Sequence, residues 1–322
     1  MAARPHNDRL LLVMPSHRLV RKAAAAGLRT WVITDPDRCT RQELRRIAEH
    51  AEEVRPASAD DARKLRAVVA ETALLHRVGR VLHPEGGASL LPVLQEAWEL
   101  GLTPDPPTAA RRLAELAGGP GPAGGAQCSV ETLSVEGAHH VVGVTGHRPD
   151  GRIHPAPLPE ADTEAAGDLA VRLLASSGHR SGPAHIGVAF GPHGPRAVSA
   201  RAGLGGHRIP LLVDIARSFD LEAASVAPPA ADAVRIPPAS RYARLGCFRL
   251  PAGRLRALAG LDSICALPYV RAVDFPFAPG DAVPPHAGTG HGYVVVSGRS
   301  PEESEQRVRA ALGLLRADVR AA

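Results

Sequence analysis

Histidine is the residue type whose abundance most suggests chemistry, since 15 of the 322 residues are histidine. Histidines that share a metal ion are usually presented together by one element, for example four residues apart on a helix. His139 and His140 are adjacent, and a strand would point them to opposite faces. The other candidates lie in separate segments: His83, His185, His207 and His291. We therefore predict no metal site among them, and surface or buried structural roles instead.

Anion-binding chemistry is limited by the scarcity of lysine. Lys22 and Lys64 are the only lysines among the 38 basic residues, so everything after residue 64 must bind anions through arginine, histidine or backbone amides. The stretch GTGHG from Gly288 to Gly292 could be a phosphate loop, but it runs into a predicted strand and not into a helix N-terminus. We therefore predict that this stretch is a turn.

The composition is typical of a globular chain, with 44% hydrophobic and 22% charged residues. A chain of this length fits about two domains. No apolar stretch approaches the length of a membrane span or a signal sequence, so we expect a cytoplasmic location and no membrane contact. The cysteines have no CxxC spacing, which predicts neither a disulfide framework nor a thiolate metal site. They are Cys39, Cys128, Cys247 and Cys265.

The net charge of +5 could indicate a nucleic-acid partner. Arginine, however, alternates with glutamate in segments such as TRQELRRIAEHAEEVR, which is typical of a solvated helix face. Aromatic residues make up 3% of the chain, too few for base-stacking platforms. We expect no nucleic-acid partner.

The first hundred residues alternate between strand and helix patterns. The predicted strands are RLLLVM, RTWVITD and RVLHP, and the predicted helices are HRLVRKAAAAG, TRQELRRIAEHAEEV, DARKLRAVVAETALLHRVG and SLLPVLQEAWELG. Thr40 followed by Glu43 has the spacing of a capping box. This rhythm predicts an α/β domain with a doubly wound parallel sheet over residues 1–105. The loop after the first strand, PSHR, lacks the glycines of a dinucleotide fingerprint.

The second half changes to the two-residue period of antiparallel strands. Residues 106–126 are rich in proline and glycine and predict a linker with one short helix. Two hairpins are predicted after it, SVETLSVEG with HHVVGVTGH and AHIGVAFG with PRAVSAR. The predicted helices are TEAAGDLAVRLLASSG, IPLLVDIARSFDLEAA, RLRALAGL and PEESEQRVRAALGLLRADV. We predict an α+β core over residues 127–240 and a further α+β segment over 241–322.

One segment of this half, GPRAVSARAGLGGHRIP, carries a specific motif. Together with SVETL before it and PGDAVPPHAGTGHGYVVVSG after it, the segment resembles the ATP-grasp superfamily, in particular its carboxylate–amine ligases of the L-amino-acid-ligase type. The matching residues are Gly194, Pro195, Arg196, Leu204, Gly205, Gly206, Arg208, Ile209 and Pro210. The resemblance covers nearly the whole chain and implies an ATP-grasp fold. Members activate a carboxylate with ATP as an acylphosphate, which an amine then displaces to form an amide.

The chain departs from the family at positions that the resemblance assigns to metal and nucleotide. The family's Glu and Asn in this hairpin correspond to Ser199 and Arg201, and its following Arg corresponds to Gly203. Mg²⁺ requires oxygen ligands, and a fixed guanidinium at Arg201 would repel it. We therefore predict that the metal site is lost.

Three further positions of the family site also differ. A metal-facing Glu on the paired strand corresponds to Gly187, and the first Glu of the stretch before SVE corresponds to Gln127. The basic position on the following strand corresponds to His147. The resemblance implies that, in family members, the residues at these positions help to bind Mg²⁺ and ATP.

The resemblance also implies a missing subdomain. In the family a subdomain between the N-terminal domain and the SVE strand supplies the lysines and the glycine-rich loop that hold the phosphates, whereas here only the 106–126 linker connects the two parts. Phosphoryl transfer depends mostly on positioning and charge, so these losses remove most of the available rate enhancement. We predict no catalytic residues and no cofactor. Mg²⁺ and ATP would be cofactors only if the chain is an active enzyme.

Glu131 and Arg208 remain at positions that the resemblance places toward the active-site cleft. They are either a remnant ligand pocket or structural ion-pair partners, and the sequence leaves both interpretations open.

Three functions are consistent with these observations. The favoured one is a pseudoenzyme that stabilises or regulates an active ATP-grasp carboxylate–amine ligase as a hetero-oligomer in specialised metabolism, because the scaffold glycines and prolines remain while the ligands are lost. A homodimer is the alternative assembly. The second function is an active or residual ATP-dependent ligase, and the third is a protein that binds a small molecule such as an amino acid.

Overall fold

The computed structural model describes residues 8–84, 89–118, 127–206, 208–285 and 290–321. In the first part of the chain the strands are β1 (Arg9–Val13), β2 (Arg29–Thr34), β3 (Glu53–Pro56) and β4 (Arg80–Leu82). The helices are α1 (His17–Ala25), α2 (Arg41–Ala48), α3 (Ala62–Leu75), α4 (Leu90–Glu99) and α5 (Pro107–Leu116). The strands pair in parallel in the order β3-β2-β1-β4, which we call the N-terminal sheet. The predicted α/β architecture is confirmed.

The helix predicted over TRQELRRIAEHAEEV was too long. It ends at Ala48, and its last residues belong to β3, which pairs with β2 at the sheet edge. The start is as predicted, because the Thr40 hydroxyl accepts a hydrogen bond from the Glu43 amide at 3.1 Å. The Glu43 carboxylate does not close the capping box but accepts a hydrogen bond from the His17 amide at 2.8 Å. It thereby ties α2 to the first turn of α1.

The remaining strands are β5 (Cys128–Val135), β6 (Ala138–Arg148), β7 (Gly151–His154), β8 (Gly182–Gly191), β9 (Gly194–Ala202), β10 (Tyr242–Cys247), β11 (Gly253–Ala259), β12 (Val270–Asp274), β13 (Ala282–Val283), β14 (Tyr293–Gly298) and β15 (Arg316–Arg320). The helices are α6 (Glu160–Ser177), α7 (Ile209–Arg217), α8 (Leu221–Val226), α9 (Leu261–Cys265) and α10 (Pro301–Leu312), with a 3₁₀ turn at Ala231–Ala233. Within this described part of the chain, no helix is both long and apolar enough to cross a membrane.

These strands form two antiparallel sheets. The central sheet has the order β12-β14-β10-β7-β6-β5-β8-β9, and the C-terminal sheet has the order β13-β11-β15. The central sheet crosses the boundary predicted at residue 240, since β10, β12 and β14 extend the sheet that β5 to β9 begin. The two predicted hairpins are present as β5–β6 and β8–β9.

The predicted helix over RLRALAGL was wrong, because this segment is β11. Leu255 is fully buried while Arg254 and Arg256 are exposed, and the strand pairs with both β13 and β15. Its partner β15 comes from the end of the predicted closing helix, which stops at Leu312. Two short segments far apart in sequence thus form a sheet that neither would form alone.

The predicted helix over IPLLVDIARSFDLEAA is two helices. Ser218 has a φ of 54°, in the left-handed region that helices do not use, and it ends α7. The Asp220 carboxylate then caps α8 by accepting a hydrogen bond from the Ala223 amide at 2.9 Å. The break turns α8 toward the N-terminal part of the chain.

A shared hydrophobic core joins the N-terminal sheet to one face of the central sheet. Leu10 and Leu19 belong to the same buried cluster as Leu133 and Leu204. The opposite face of the central sheet packs on α5 and α6 through residues such as Val130, Ile186, Leu113 and Leu174. The sheet is therefore covered on both faces, and its polar residues on the first face point toward the N-terminal part.

An ion-pair cluster also crosses between the two parts. The Lys22 ammonium on α1 lies 2.6 Å from Asp220 Oδ1, just before α8, and 2.6 Å from Glu222 Oε2, on α8. Arg18 Nη2 lies 3.3 Å from the same Glu222 oxygen. The pKa of nearby Asp214 is raised by burial and by the Asp220 charge, and the Lys22 charge opposes this shift. Lys22 therefore neutralises a group of carboxylates at the junction.

We expect Lys22→Met to lower the free energy of unfolding by about 1–3 kcal/mol, because Glu222 would lose one of its two charged partners while remaining buried. The measurement is urea denaturation at neutral pH. Lys64→Met is the matched control, since Lys64 is exposed on α3 and forms no ion pair with the described residues. An equal effect of the two substitutions would contradict the role of Lys22.

Candidate functional site

A cleft of about 1030 Å³ lies between the N-terminal sheet and the central sheet. The N-terminal part lines it with the loops that follow β1, β2 and β4, at the carboxyl edge of the parallel strands where α/β proteins usually bind ligands. These loops contribute Ser16, Asp35 and His83. The central sheet and its connections contribute Arg201, Gly205, Gly206, Arg208, Asp274 and Tyr293.

The register of the central sheet brings several predicted site positions into two rows. One row runs from Ser129 on β5 to Gly187 on β8 and Ser199 on β9. The next row runs from Glu131 on β5 to His185 on β8 and Arg201 on β9. Paired residues project from the same face of a sheet, so these positions are neighbours although Glu131 and His185 are 54 residues apart in the chain.

Glu131 lies behind the wall of the cleft and not on it. Its side chain is fully buried, accepts a hydrogen bond from the Ser129 hydroxyl at 2.8 Å and lies 2.9 Å from His185 Nδ1. Gly205 covers it so closely that a Cβ there would come within 2.7 Å of Glu131 Oε2. Of the two interpretations left open by the sequence, the contacts of Glu131 are those of an ion-pair partner.

The Glu131–His185 pair sets the ionisation of this buried carboxyl. Burial opposes ionisation, but the His185 charge and the hydrogen bonds from His185 and Ser129 outweigh it and hold the pKa of Glu131 below its usual range. Glu131 is therefore a carboxylate already compensated by protein groups.

The other predicted positions are spread around these rows. His147 Nε2 lies 3.1 Å from the Ser129 hydroxyl, which joins it to the Glu131 network. Gln127 is exposed, and its side-chain oxygen accepts a hydrogen bond from the Phe190 amide at 3.3 Å. Gly203 has a φ of 124° in the turn after β9, and its amide donates to the Pro183 carbonyl at 2.8 Å. Neither Gln127 nor Gly203 lines the cleft.

On the side of the central sheet, Arg201 and Arg208 line the cleft. Arg201 Nη2 donates to the Leu204 carbonyl at 3.2 Å, and its Nε is buried with no hydrogen-bond partner among the described residues. Arg208, in the left-handed region with a φ of 58°, precedes α7, and its guanidinium carbon lies 5.3 Å from the centre of the Tyr293 ring. Unlike Glu131, Arg208 is on the cleft wall.

The residues present do not fit Mg²⁺. Within the described residues, no group of three or more His, Cys, Asp or Glu side chains is placed to hold a metal ion. The carboxylate in the row is Glu131, which is already bound by His185 and closed off by Gly205. The row ends in the Arg201 cation, so a divalent cation would meet positive charge and not an oxygen ligand.

Three sequence predictions fall wholly or partly outside the described residues. They are the linker, of which residues 119–126 are not described, the turn at Gly288 to Gly292, of which residues 288–289 are not described, and His207. The chain between Leu116, where α5 ends, and Cys128, where β5 begins, is residues 117–127.

Sequence reasoning missed a second buried polar group, centred on His154. His154 Nδ1 lies 3.0 Å from the Thr145 hydroxyl, and Arg217 Nε donates to His154 Nε2 at 3.2 Å. Burial and the Arg217 charge lower the pKa of His154 to about 3. No sequence signal pointed to it, because the short strand β7 that carries His154 was not predicted.

His154 makes stability depend on pH. The folded protein keeps this histidine neutral, while the unfolded chain takes up a proton near pH 6.5, so the unfolded state gains protons and stability is lost as the pH falls from about 6 to 4. We expect His154→Gln to reduce this slope by about 1.4 kcal/mol per pH unit, since glutamine can still accept from Arg217. Urea denaturation at several pH values measures it.

The control for this prediction is His193→Gln, because His193 is exposed in the β8–β9 turn. Its slope is expected to match that of the unsubstituted protein. His83, whose pKa burial lowers to about 4, contributes a slope of its own that both variants retain. An unchanged slope in His154→Gln would contradict the assignment.

One family model matches the chain in sequence. It is the L-amino acid ligase C-terminal domain 2, and it covers residues 246–320, from the end of β10 to β15. No curated protein matches the chain in sequence.

Solved structures match the fold of nearly the whole chain. An L-amino acid ligase from Bacillus licheniformis superposes with a TM-score of 0.83 at 17% identity, covering 98% of this chain and 100% of that one. A phosphoribosylglycinamide synthetase from Anaerococcus prevotii gives 0.80 at 9% identity, over 97% and 99% of the two chains. A biotin carboxylase from Campylobacter jejuni gives 0.69 at 11% identity, over 98% and 92%. These findings confirm the predicted ATP-grasp fold, and over residues 246–320 they support the resemblance to L-amino acid ligases.

Proposed function

We propose that the chain is a non-catalytic ATP-grasp homologue that acts in the cytoplasm as a partner or regulatory subunit of an active ATP-grasp carboxylate–amine ligase, in specialised metabolism. The observation that carries the proposal is the row from Glu131 through His185 to Arg201. In this row Arg201 stands where the resemblance places an Asn metal ligand, and the neighbouring carboxylate of Glu131 is already compensated by His185.

The charges in this row oppose metal-dependent chemistry. Two like unit charges 4 Å apart near a protein surface repel by about 4 kcal/mol, and a divalent cation beside Arg201 doubles that cost. Glu131 cannot offset it without leaving His185 and displacing Gly205. Without a metal to bridge the phosphates, and without a subdomain to cover them, phosphoryl transfer loses its main sources of stabilisation.

The partner role follows from what the fold keeps. The N-terminal sheet, the central sheet and the turn containing Gly205 and Gly206 are intact, so the chain retains the shape of a ligase. A cleft of about 1030 Å³ lies beside the central sheet. A folded chain of this shape can associate with a related ligase even though its own side chains do not fit Mg²⁺.

Two other functions have observations in their favour. An active C–N ligase is supported by the similarity of the fold to an L-amino acid ligase, and C–N bond formation is the chemistry expected if the chain is active. A small-molecule binding protein would use the cleft, where Arg208 is stacked on Tyr293 and available to a carboxylate such as that of an amino acid. The experiments below separate these functions.

Titration calorimetry with ATP and Mg²⁺ tests the loss of catalysis. We expect no heat of binding that depends on Mg²⁺ and no ADP release, because the row from Glu131 to Arg201 offers no metal ligands. Saturable binding that requires Mg²⁺, followed by ADP release with an acid and an amine, would show an active ligase and overturn the proposal.

Reconstitution tests the partner role. The purified chain is mixed with an active ATP-grasp carboxylate–amine ligase from the same organism, and the complex is measured by analytical ultracentrifugation while ADP release reports activity. We expect a complex larger than either protein and a changed kcat or stability of the ligase. Separate sedimentation of the two proteins and unchanged kinetics would contradict the role.

A further inference from the structure

We infer that the cleft contains a metal-independent oxyanion site, formed by Arg201 and Arg208 on either side of the turn containing Gly205 and Gly206. Its ligand is a small molecule bearing a phosphate or carboxylate group. The inference rests on the proposed function, because it requires that no Mg²⁺ occupies this row of the central sheet.

The first step concerns the charge of Arg201. This guanidinium lines the cleft, and no carboxylate of the described residues lies within 4.0 Å of it. Within the described chain, its Nη2 donates a hydrogen bond to the Leu204 carbonyl. Its Nε is buried and has no acceptor among the described residues. The charge of Arg201 is thus left without an acidic partner in a half-buried position.

The second step concerns Arg208. It lies seven residues after Arg201, at the start of α7, and it also lines the cleft without a carboxylate within 4.0 Å among the described residues. Its guanidinium carbon lies 5.3 Å from the centre of the Tyr293 ring, a cation–π contact that does not use its N–H groups for an ion pair. An arginine held in this way is preorganised to bind an oxyanion.

The third step is that three of the four acids among the described residues that line the cleft have partners of their own. Asp35 accepts hydrogen bonds from the Ala59 and Asp37 amides at 2.8 and 3.0 Å. Glu43 is bound by His17, and Glu222 by Lys22.

Asp274 also lines the cleft. It lies near Tyr293 but not within 4.0 Å of either arginine. Neither Arg201 nor Arg208 therefore forms an ion pair with a carboxylate of the described residues.

The fourth step concerns access. Gly205 and Gly206 have no side chains between the two arginines, and Gly206 is exposed. A Cβ built on Gly206 would lie 3.7 Å from Arg201 Nη2, which places this turn directly beside the guanidinium. The forked N–H groups of arginine match the oxygens of carboxylate and phosphate, so the exposed turn gives such a group a direct approach.

The experiment titrates the protein with inorganic phosphate and, separately, with succinate, in buffer containing EDTA. We expect saturable binding of at least one anion, detected by calorimetry and by a rise in Tm. Arg201→Gln and Arg208→Gln are each expected to weaken it about tenfold or more, because each removes a charge-assisted contact. Arg256→Gln is the matched control, since Arg256 is exposed on β11 outside the cleft.

Further arms distinguish the outcomes. Stronger binding of phosphate than of succinate identifies a phosphate ester as the ligand class, and the reverse identifies a carboxylate. Arg201→Lys keeps the charge but loses the fork, so partial binding is expected, and circular dichroism verifies that each variant is folded. Absence of binding by both anions, or binding unchanged in both glutamine variants, would overturn the inference while leaving the proposed function intact. Anion binding that appears only with Mg²⁺ would overturn both.

Discussion

The pairing of strands β5, β8 and β9 is the constraint on which the site depends. It places Glu131, His185 and Arg201 side by side, in the order carboxylate, imidazole, guanidinium. The inner carboxylate is neutralised by its neighbour and covered by Gly205, whereas the outer guanidinium reaches the cleft with no acidic partner in the described chain. In this row the negative charge of Glu131 is compensated by His185, whereas the positive charge of Arg201 has no carboxylate partner among the described residues.

This distribution of charge links the fold to the function. In an ATP-grasp ligase a metal ion supplies positive charge between protein carboxylates and phosphates. Here a side chain supplies it permanently at Arg201, and Arg208 adds a second charge across the turn that contains Gly205 and Gly206. Under the proposed function and the proposed oxyanion site, such a cleft binds anions without a metal and does not activate them. Binding without catalysis is what we expect of a regulatory subunit.

The junction between the two parts of the protein explains how the cleft keeps its shape. The shared core around Leu19 and Leu133 and the Lys22 ion pairs hold α1 against α8. The break at Ser218 matters because it allows α8 to turn toward α1. The arginines on one wall and the strand ends on the other are thus fixed relative to each other before any ligand arrives.

The sequence by itself determined the α/β beginning, the two hairpins and the ATP-grasp resemblance, because these depend on local periodicity and on a contiguous motif. It could not assign β11, since a short amphipathic segment becomes a strand only when β15 pairs with it. Nor could it separate Glu131 from Arg208, because the resemblance places both toward the active-site cleft. Only the tertiary structure placed Gly205 over Glu131 and left Arg208 on the cleft wall, because burial and pairing depend on residues distant in the chain.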